Sequence, residues 1–199
     1  AYTINSTKSI GLKVINAGGA ESFKQGKRDN YSLDDVVPEY GVSSRQILNS
    51  LCNSIENLKV KQPLHVHCNN LGVPGNIETI LDTIDSAEGR RMHLAHVQFY
   101  GYSKEGKRGF SSGATSLCEA VNRNKNITVD VGQVMFKPTV TISSDILRQF
   151  SARNNAKPRK WVTSEVEDGG GGIVPYSYNK ENFINASQWL IGLEIFLLI

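Results

Sequence analysis

The sequence is poor in the residues that build disulfide frameworks and structural zinc sites. Its 199 residues include only three cysteines, two methionines and two tryptophans. Cys52, Cys68 and Cys118 lie far apart and form no C-x-x-C pair, which excludes a closed structural zinc site. Widely spaced cysteines indicate free thiols in a reducing compartment. We therefore expect a cytoplasmic protein.

Two further classes of partner find little support in the sequence. The 22 basic and 19 acidic residues give a net charge of only +3, and the basic residues are spread out, so no footprint for nucleic acid appears. Long hydrophobic runs are missing as well. The most apolar stretch, residues 189–199, contains Glu194 and is shorter than the roughly 20 residues that span a bilayer. We expect neither a nucleic-acid nor a membrane partner.

Histidine is scarce but unevenly placed. His65 and His67 lie in one short apolar run, and His93 and His96 lie in a second. Residues i and i+2 share one face of a strand, so His65 and His67 point the same way. His93 and His96 are three apart, so only one of them joins His67 unless the chain bulges, and we favour His96. Imidazole is the commonest metal ligand, but on spacing alone a metal site and a structural use both stay open.

Two charged residues interrupt other strand-like runs. Lys13 lies within the apolar run 9–16. It either extends its amine to solvent or is buried with a lowered pKa, which would suit it to nucleophilic chemistry or modification. Asp130 shares a strand face with Thr128 and is a candidate pocket carboxylate.

Strand-like and helical segments alternate along the chain. The predicted strands are 9–16, 63–68, 92–99 and 126–133, and the predicted helices are 43–58, 76–87, 111–124 and 182–199, with a short helix at 142–150 and a flexible surface loop over 151–181. Serines are expected to cap the first and third helices. This order predicts an α/β fold with a parallel sheet and right-handed crossovers. A full (β/α) barrel takes about 250 residues, so four units make half of one.

Five runs together resemble a known family. They are 11–16 (GLKVIN), 65–72 (HVHCNNLG), 96–99 (HVQF), 127–133 (ITVDVGQ) and 188–194 (QWLIGLE). They are similar to the A subunit of formylmethanofuran dehydrogenase and to its bacterial counterpart, the alpha subunit of the formyltransferase/hydrolase complex. Both belong to the amidohydrolase superfamily. The resemblance spans essentially the whole chain, and runs 105–108 and 158–162 look more like the bacterial form.

The resemblance implies a segment of a metal-bearing (β/α) TIM-type barrel. Residues 1–199 would be an internal piece of that domain carrying strands 4 to 7. Lys13 matches the family's carboxylated lysine, and His67 and His96 match its histidine ligands on strands 5 and 6. These residues would help to hold two divalent metal ions, expected to be zinc.

The family's remaining site residues are expected outside this chain. The first-strand His-x-His pair should lie upstream of residue 1. The metal-bound catalytic aspartate of the eighth strand should lie beyond Ile199, so no catalytic residue is expected within residues 1–199 themselves. Asp130 falls on the seventh strand and does not replace that aspartate.

Four further residues are expected around the metal ligands. His65 resembles the first-strand pair but falls in the wrong place in the order, so it is expected in a supporting role. Asn69, Asn70 and Gln98 lie at strand ends, where they would either donate hydrogen bonds to substrate oxygens or serve the turns.

The activity implied by the resemblance is hydrolysis of the formamide of N-formylmethanofuran to formate and methanofuran, or the reverse. Methanofuran would be the coenzyme substrate, and other subunits of the complex would be the partners. Three alternatives stay open. They are an archaeal-type dehydrogenase subunit working beside a molybdenum or tungsten partner, a cyclic amidohydrolase, and a structural barrel subunit without catalysis.

Overall fold

The structure is a computed structural model that describes residues 2–15, 17, 30–37, 40–106, 111–132, 191 and 194–199, and the backbone of 139–143 and 171–175. In chain order its elements are α1 (Tyr2–Thr7), β1 (Lys13–Ile15), β2 (Val36–Val37), β3 (Val42–Ser43), α2 (Ser44–Asn57), β4 (Leu64–His67), α3 (Ile77–Ser86), β5 (Met92–Leu94), a 3-10 turn (Val97–Phe99), β6 (Tyr102–Ser103), β7 (Ser111–Ser112), α4 (Ala114–Arg123), β8 (Ile127–Val129), β9 (Thr139–Ser143) and β10 (Gly171–Pro175).

The main sheet has four parallel strands in the order β1-β4-β5-β8. Spatial order therefore follows chain order, as expected when each strand is followed by a crossover to its neighbour. The register aligns Lys13 with His65, His65 with His93, and His93 with Thr128. Paired residues in a sheet point to the same face, so these four side chains form one row. The predicted α/β fold with a parallel sheet is confirmed.

The two faces of this sheet differ in chemistry. One face packs into a single core with helices α2, α3 and α4, and its strand residues are almost fully buried: Leu64, Val66, Met92, Leu94 and Ile127. On the other face, in the described part of the chain, the side chains are half-buried or exposed, and Ile15 is 60% exposed. The strict alternation in the first histidine run therefore separates an apolar side from an imidazole side.

The helix starts match the sequence at one position and differ at another. The predicted serine cap of α2 is confirmed: Ser43 is the N-cap residue, and it forms a capping box with Gln46. For α4 the predicted N-cap position is wrong, because Gly113 occupies it and Ser112 lies in β7, although Ser112 Oγ accepts from the N–H of Ala114 at 3.2 Å. A Cβ on Gly113 would lie 2.8 Å from Cγ1 of Ile77, so this close contact between helix starts requires glycine.

Several predicted elements are shorter than expected or of a different kind. The strand predicted at 92–99 ends at Leu94, because the chain then turns left-handed and forms the 3-10 turn. The helix predicted at 142–150 is wrong at its start, which lies in β9, and its remainder falls outside the described residues. The loop predicted over 151–181 contains β10, which pairs antiparallel with β9. No helix of the described ranges is long and apolar enough to cross a membrane.

The helix predicted at 182–199 is described only in its last part. Residues 191 and 194–198 are helical, and Ile191 and Ile195 are buried in the core that covers the apolar face of the sheet. The N–H of Ile199 donates to the carbonyl of Ile195 at 3.1 Å, but Ile199 itself lies outside the helix. The predicted helix is therefore confirmed for residues 191 and 194–198, and residues 182–190, 192 and 193 fall outside the described ranges.

A buried asparagine fixes the loop that follows β4. The side chain of Asn70 is fully buried, and its backbone is left-handed with φ 62°. Its Oδ1 accepts from the backbone N–H of Tyr31 at 2.9 Å, and its Nδ2 donates to the Tyr31 carbonyl at 2.9 Å and to Thr79 Oγ1 at 2.8 Å. One amide thus holds a distant loop and helix α3 to the end of the strand.

A second asparagine extends this support to the next loop. Asn76 Nδ2 donates to the carbonyls of Asn70 and Phe99, at 2.9 and 2.7 Å, and its Oδ1 accepts from the N–H of Tyr102 at 2.9 Å. Asn76 is the N-cap residue of α3 by position, but its side chain makes no capping bond to that helix. The amide instead joins the loops after β4 and β5, which carry the polar ends of the sheet.

We expect Asn70→Ala to lower the free energy of unfolding by about 3–5 kcal/mol. The substitution removes three buried hydrogen bonds, each worth about 1 kcal/mol or more, and keeps the cost of a left-handed L-residue. Asn70→Gly should be less destabilising by about 1 kcal/mol, because glycine adopts this backbone freely. Urea unfolding of the full-length gene product would measure both.

Asn57→Ala is the matched control, because Asn57 is exposed at the end of α2. Its effect should stay within about 0.5 kcal/mol. If Asn70→Ala behaved like this control, the amide of Asn70 would not hold the loops together.

Candidate functional site

All four histidines of the chain lie in one cluster on the open face of the sheet. The ring centroids of His65 and His67 are 5.2 Å apart, those of His65 and His93 are 5.1 Å apart, and those of His67 and His96 are 4.4 Å apart. His93 joins the cluster through the register of β5 with β4. Of the two later histidines, His96 contacts His67, as predicted from the sequence, and His93 contacts His65 instead.

His96 reaches the cluster because the backbone turns left-handed at this residue, with φ 38° and ψ 55°. The turn swings the imidazole back over the end of β4. His96 Nε2 then lies 2.9 Å from His67 Nδ1, and His67 Nε2 lies 3.2 Å from His65 Nε2. Three rings are therefore joined nitrogen to nitrogen.

At 2.9 Å, His67 Nδ1 and His96 Nε2 lie at hydrogen-bonding distance, a little closer than two ligands of one zinc ion. Two imidazoles that bind zinc tetrahedrally at about 2.0–2.1 Å place their nitrogens about 3.3 Å apart. Within the described ranges, however, no group of three His, Cys, Asp or Glu side chains is arranged to hold a metal ion. The chain's own histidines thus fit part of a ligand set, and further ligands would have to complete it.

Three histidines of the cluster, His65, His67 and His96, have a lowered pKa that favours the neutral imidazole. The pKa of His67 is lowered from 6.5 to about 4, chiefly because the ring is buried and also because of the neighbouring charges of His96 and Lys13. Burial also lowers the pKa of His65 and of His96. A neutral ring keeps one lone pair, so it is available to a cation at neutral pH.

Asp130 connects two members of the cluster. Its Oδ1 accepts from the backbone N–H of His96 at 2.7 Å, and its Oδ2 lies 3.0 Å from His93 Nε2. Burial raises the pKa of Asp130, but the hydrogen bonds from His96 and His93 outweigh it and hold this pKa below its ordinary value. The sequence predicted a pocket carboxylate at Asp130 because this residue shares a strand face with Thr128. Nothing in the sequence predicted its hydrogen bond to the His96 backbone.

The three predicted amide residues are occupied within the fold. Asn69 is 3% exposed and donates to Ser44 Oγ at 2.8 Å. Gln98 pairs with both backbone groups of Gly132, at 2.9 and 3.0 Å. The amide of Asn70 is used wholly in the loop contacts described above. Their hydrogen bonds position the loops around the histidines.

Lys13 lies at one end of the row that it forms with His65, His93 and Thr128. Its side chain is exposed and faces the same side of the sheet as His65, its register partner. A cavity of about 620 Å³ opens beside Lys13, His65 and His93. The amine is therefore accessible from the open face, on the side that carries the imidazoles.

Comparison with known proteins gives two curated relatives over almost the whole chain. The chain is 48% identical over 201 residues to the A subunit of the formyltransferase/hydrolase complex Fhc of Methylorubrum extorquens. It is 35% identical over 209 residues to "Protein FwdA" of Methanocaldococcus jannaschii. These alignments cover 98% and 99% of the chain but 36% of each relative. No family model matches the chain.

A solved structure agrees with these relatives. One chain in the X-ray structure of the formyltransferase/hydrolase complex FhcABCD from Methylorubrum extorquens, in complex with methylofuran, matches with a TM-score of 0.77 and 46% identity. The match covers 98% of the present chain and 36% of that one. The resemblance predicted from the sequence is confirmed: the chain is homologous to the A subunit of the formyltransferase/hydrolase complex and to FwdA, and spans 36% of their length.

Proposed function

We propose that the gene product carrying this chain is the A subunit of a formyltransferase/hydrolase-type complex. In this proposal it hydrolyses the formamide of formylmethanofuran, or of a related formylated furan coenzyme, to formate and the free amine. The observation that carries the proposal is the convergence of His67 Nδ1 and His96 Nε2 at 2.9 Å in a homologue of the Fhc A subunit. The other subunits of such a complex would be its partners, in the cytoplasm.

The fold supports a place in a metal-dependent (β/α) barrel. The four parallel strands follow chain order, and the apolar side of the sheet packs on helices while the imidazole side is open. In a barrel that open side would face the interior. His67 ends β4 and His96 follows β5, and the C-terminal ends of barrel strands are where active sites lie. We assign the four strands to positions 4 to 7, with residues 1–199 forming part of one barrel domain.

The residues that would hold metal are Lys13, His67 and His96. The two imidazoles would supply nitrogen ligands, and a carboxylated Lys13 would supply oxygen ligands. Zinc would provide a Lewis acid and a bound water with a pKa of about 7. In this assignment the family's His-x-His pair would precede residue 1, and its catalytic aspartate would follow Ile199.

The remaining residues of the site would act through shape and charge. Burial lowers the pKa of His67 and favours the neutral ring, which keeps one lone pair for a cation. The ring of His65 lies beside the ring of His67 and would help to hold its orientation. Asn69 and Gln98 hold the loops that carry the ligands, so their contribution would be orientation.

The comparisons favour the formyltransferase/hydrolase form over an archaeal-type dehydrogenase subunit. Identity is 48% to the Fhc A subunit and 35% to FwdA over nearly the same residues. We therefore do not propose a molybdenum or tungsten partner. A structural subunit without catalysis is a distinct outcome of the experiment that follows.

We expect Lys13→Ala to remove metal and activity together. The full-length gene product, purified with its partner subunits, should contain about two zinc ions per A subunit and release formate from the formylated coenzyme. In Lys13→Ala the metal content should fall to about one ion or fewer, and formate release should drop at least about 100-fold. Elemental analysis and a formate assay would measure these values.

Lys125→Ala is the control, because Lys125 is an exposed lysine after α4. It should leave both readouts unchanged. Unchanged metal and activity in Lys13→Ala would mean that Lys13 merely extends to solvent, and the metal assignment would fail. A wild-type protein with neither zinc nor formate release would instead support a structural subunit.

A second prediction concerns the pH dependence of stability in the metal-free protein. The pKa of His67 is about 4 in the folded state against 6.5 ordinarily, so the unfolded chain binds more protons between these values. The contribution of His67 to the free energy of unfolding should therefore fall as pH decreases from about 6.5 to about 4 and level off below. His67→Gln should make this decline shallower.

Urea unfolding of both proteins in chelator, at intervals between about pH 8 and pH 4, would measure the slopes. Above about pH 7 the two slopes should agree, because the imidazole is neutral in both states. Identical slopes across the lower range would show that His67 is not shielded from protonation.

A further inference from the structure

His96 adopts a backbone conformation that an L-residue avoids. Its φ of 38° and ψ of 55° are left-handed, a conformation that is unfavourable for a residue with a Cβ. Such a conformation persists only where the surroundings impose it. Because the turn at His96 brings its ring to His67, whatever imposes the turn also sets the geometry of the candidate site.

Asp130 holds the chain on both sides of this turn. Its backbone N–H donates to the carbonyl of Leu94 at 3.1 Å, and its carbonyl accepts from the N–H of Val97 at 3.0 Å. Between these bonds, its side-chain Oδ1 accepts from the N–H of His96 at 2.7 Å. The two backbone hydrogen bonds are made by Leu94 and Val97, so without the carboxylate Asp130 would offer no acceptor to the backbone N–H of His96.

Neighbouring residues limit where His96 can move. Gln98 binds the backbone of Gly132 through both ends of its amide. A Cβ added to Gly132 would lie 2.9 Å from the Cβ of His96, so the two backbones are packed as closely as glycine permits. The segment that follows β8 therefore packs against the turn, and Asp130 links the turn to this segment by hydrogen bonds.

The second carboxylate oxygen orients another ring of the cluster. Asp130 Oδ2 lies 3.0 Å from His93 Nε2, and a carboxylate only accepts, so Nε2 must carry a proton. In neutral His93 the other nitrogen, Nδ1, then accepts from the hydroxyl of Thr128 at 2.9 Å. The Asp130 side chain therefore contacts two of the four histidines, His96 through its backbone and His93 through its ring.

We infer that Asp130 is a positioning residue of the histidine site: its Oδ1 holds the His96 backbone left-handed, so that Nε2 of His96 faces Nδ1 of His67. The hydrogen bond to His93 is secondary, because His93 is not one of the proposed ligands. The consequence for metal affinity rests on the proposed function, whereas the constraint on the His96 backbone exists without metal.

Three variants of the full-length gene product separate these contributions. Asp130→Ala removes both side-chain hydrogen bonds. Asp130→Asn keeps an oxygen for the His96 amide and can place its NH₂ toward His93, which then accepts as the other tautomer. Thr128→Ala removes only the hydroxyl on the far side of His93 and is the matched control.

Two readouts test the variants. Hydrogen exchange of the His96 amide in metal-free protein, located with overlapping peptides, reports the backbone constraint. Zinc affinity, from competition with a chelator, reports its consequence. In Asp130→Ala we expect amide exchange at least tenfold faster and zinc affinity about 10–100-fold weaker. Asp130→Asn should stay within about threefold of wild type in both, and Thr128→Ala should match wild type.

Each contrary result has a distinct meaning. Unchanged amide exchange in Asp130→Ala would overturn the inference whether or not zinc binds. Tenfold faster exchange in Asp130→Asn would also overturn it, including when Asp130→Ala does not fold, because the amide oxygen should suffice. If wild type binds no zinc but the exchange results follow expectation, the inference about His96 stands and the proposed function fails.

Discussion

The register of the parallel sheet is the constraint on which the candidate site depends. It aligns Lys13, His65, His93 and Thr128 in one row, and it sends the alternate residues into the core against the helices. A slip of one residue in any strand would exchange these two sets. An imidazole would then be buried among aliphatic side chains, and a leucine or valine would face solvent. The packing of the apolar face therefore decides where the histidines lie.

Beyond the strand ends, the structure relies on buried amides. Asn69, Asn70 and Gln98 are almost fully buried and hydrogen-bonded, and each connects a loop to a part of the chain distant in sequence. The loops that follow β4 and β5 are thus held by these polar contacts in addition to apolar ones, because Cys68, Val97 and Tyr100 belong to the hydrophobic core. Both kinds of contact fix the ligand-bearing ends of the strands.

Local pattern was sufficient for some of these features. Alternation in the first histidine run identified its two faces, and a serine cap was correctly predicted at the start of α2. Local pattern was insufficient where residues distant in sequence determine the backbone conformation. The turn at His96 depends on Asp130, which is 34 residues away, so no periodicity within the run 92–99 could show it. The serines before α4 likewise pair with β6, although their sequence alone favours a helix cap.

The amide of Asn70 has a consequence for how this sequence tolerates change. The position needs one acceptor and two donors on a short side chain, together with a left-handed backbone. Aspartate lacks the donors, glutamine is one methylene too long, and glycine supplies the backbone without the amide. Among the twenty residue types only asparagine meets every demand. In a set of related sequences, this position should therefore be among the last to vary, although its side chain touches neither the histidines nor the open face.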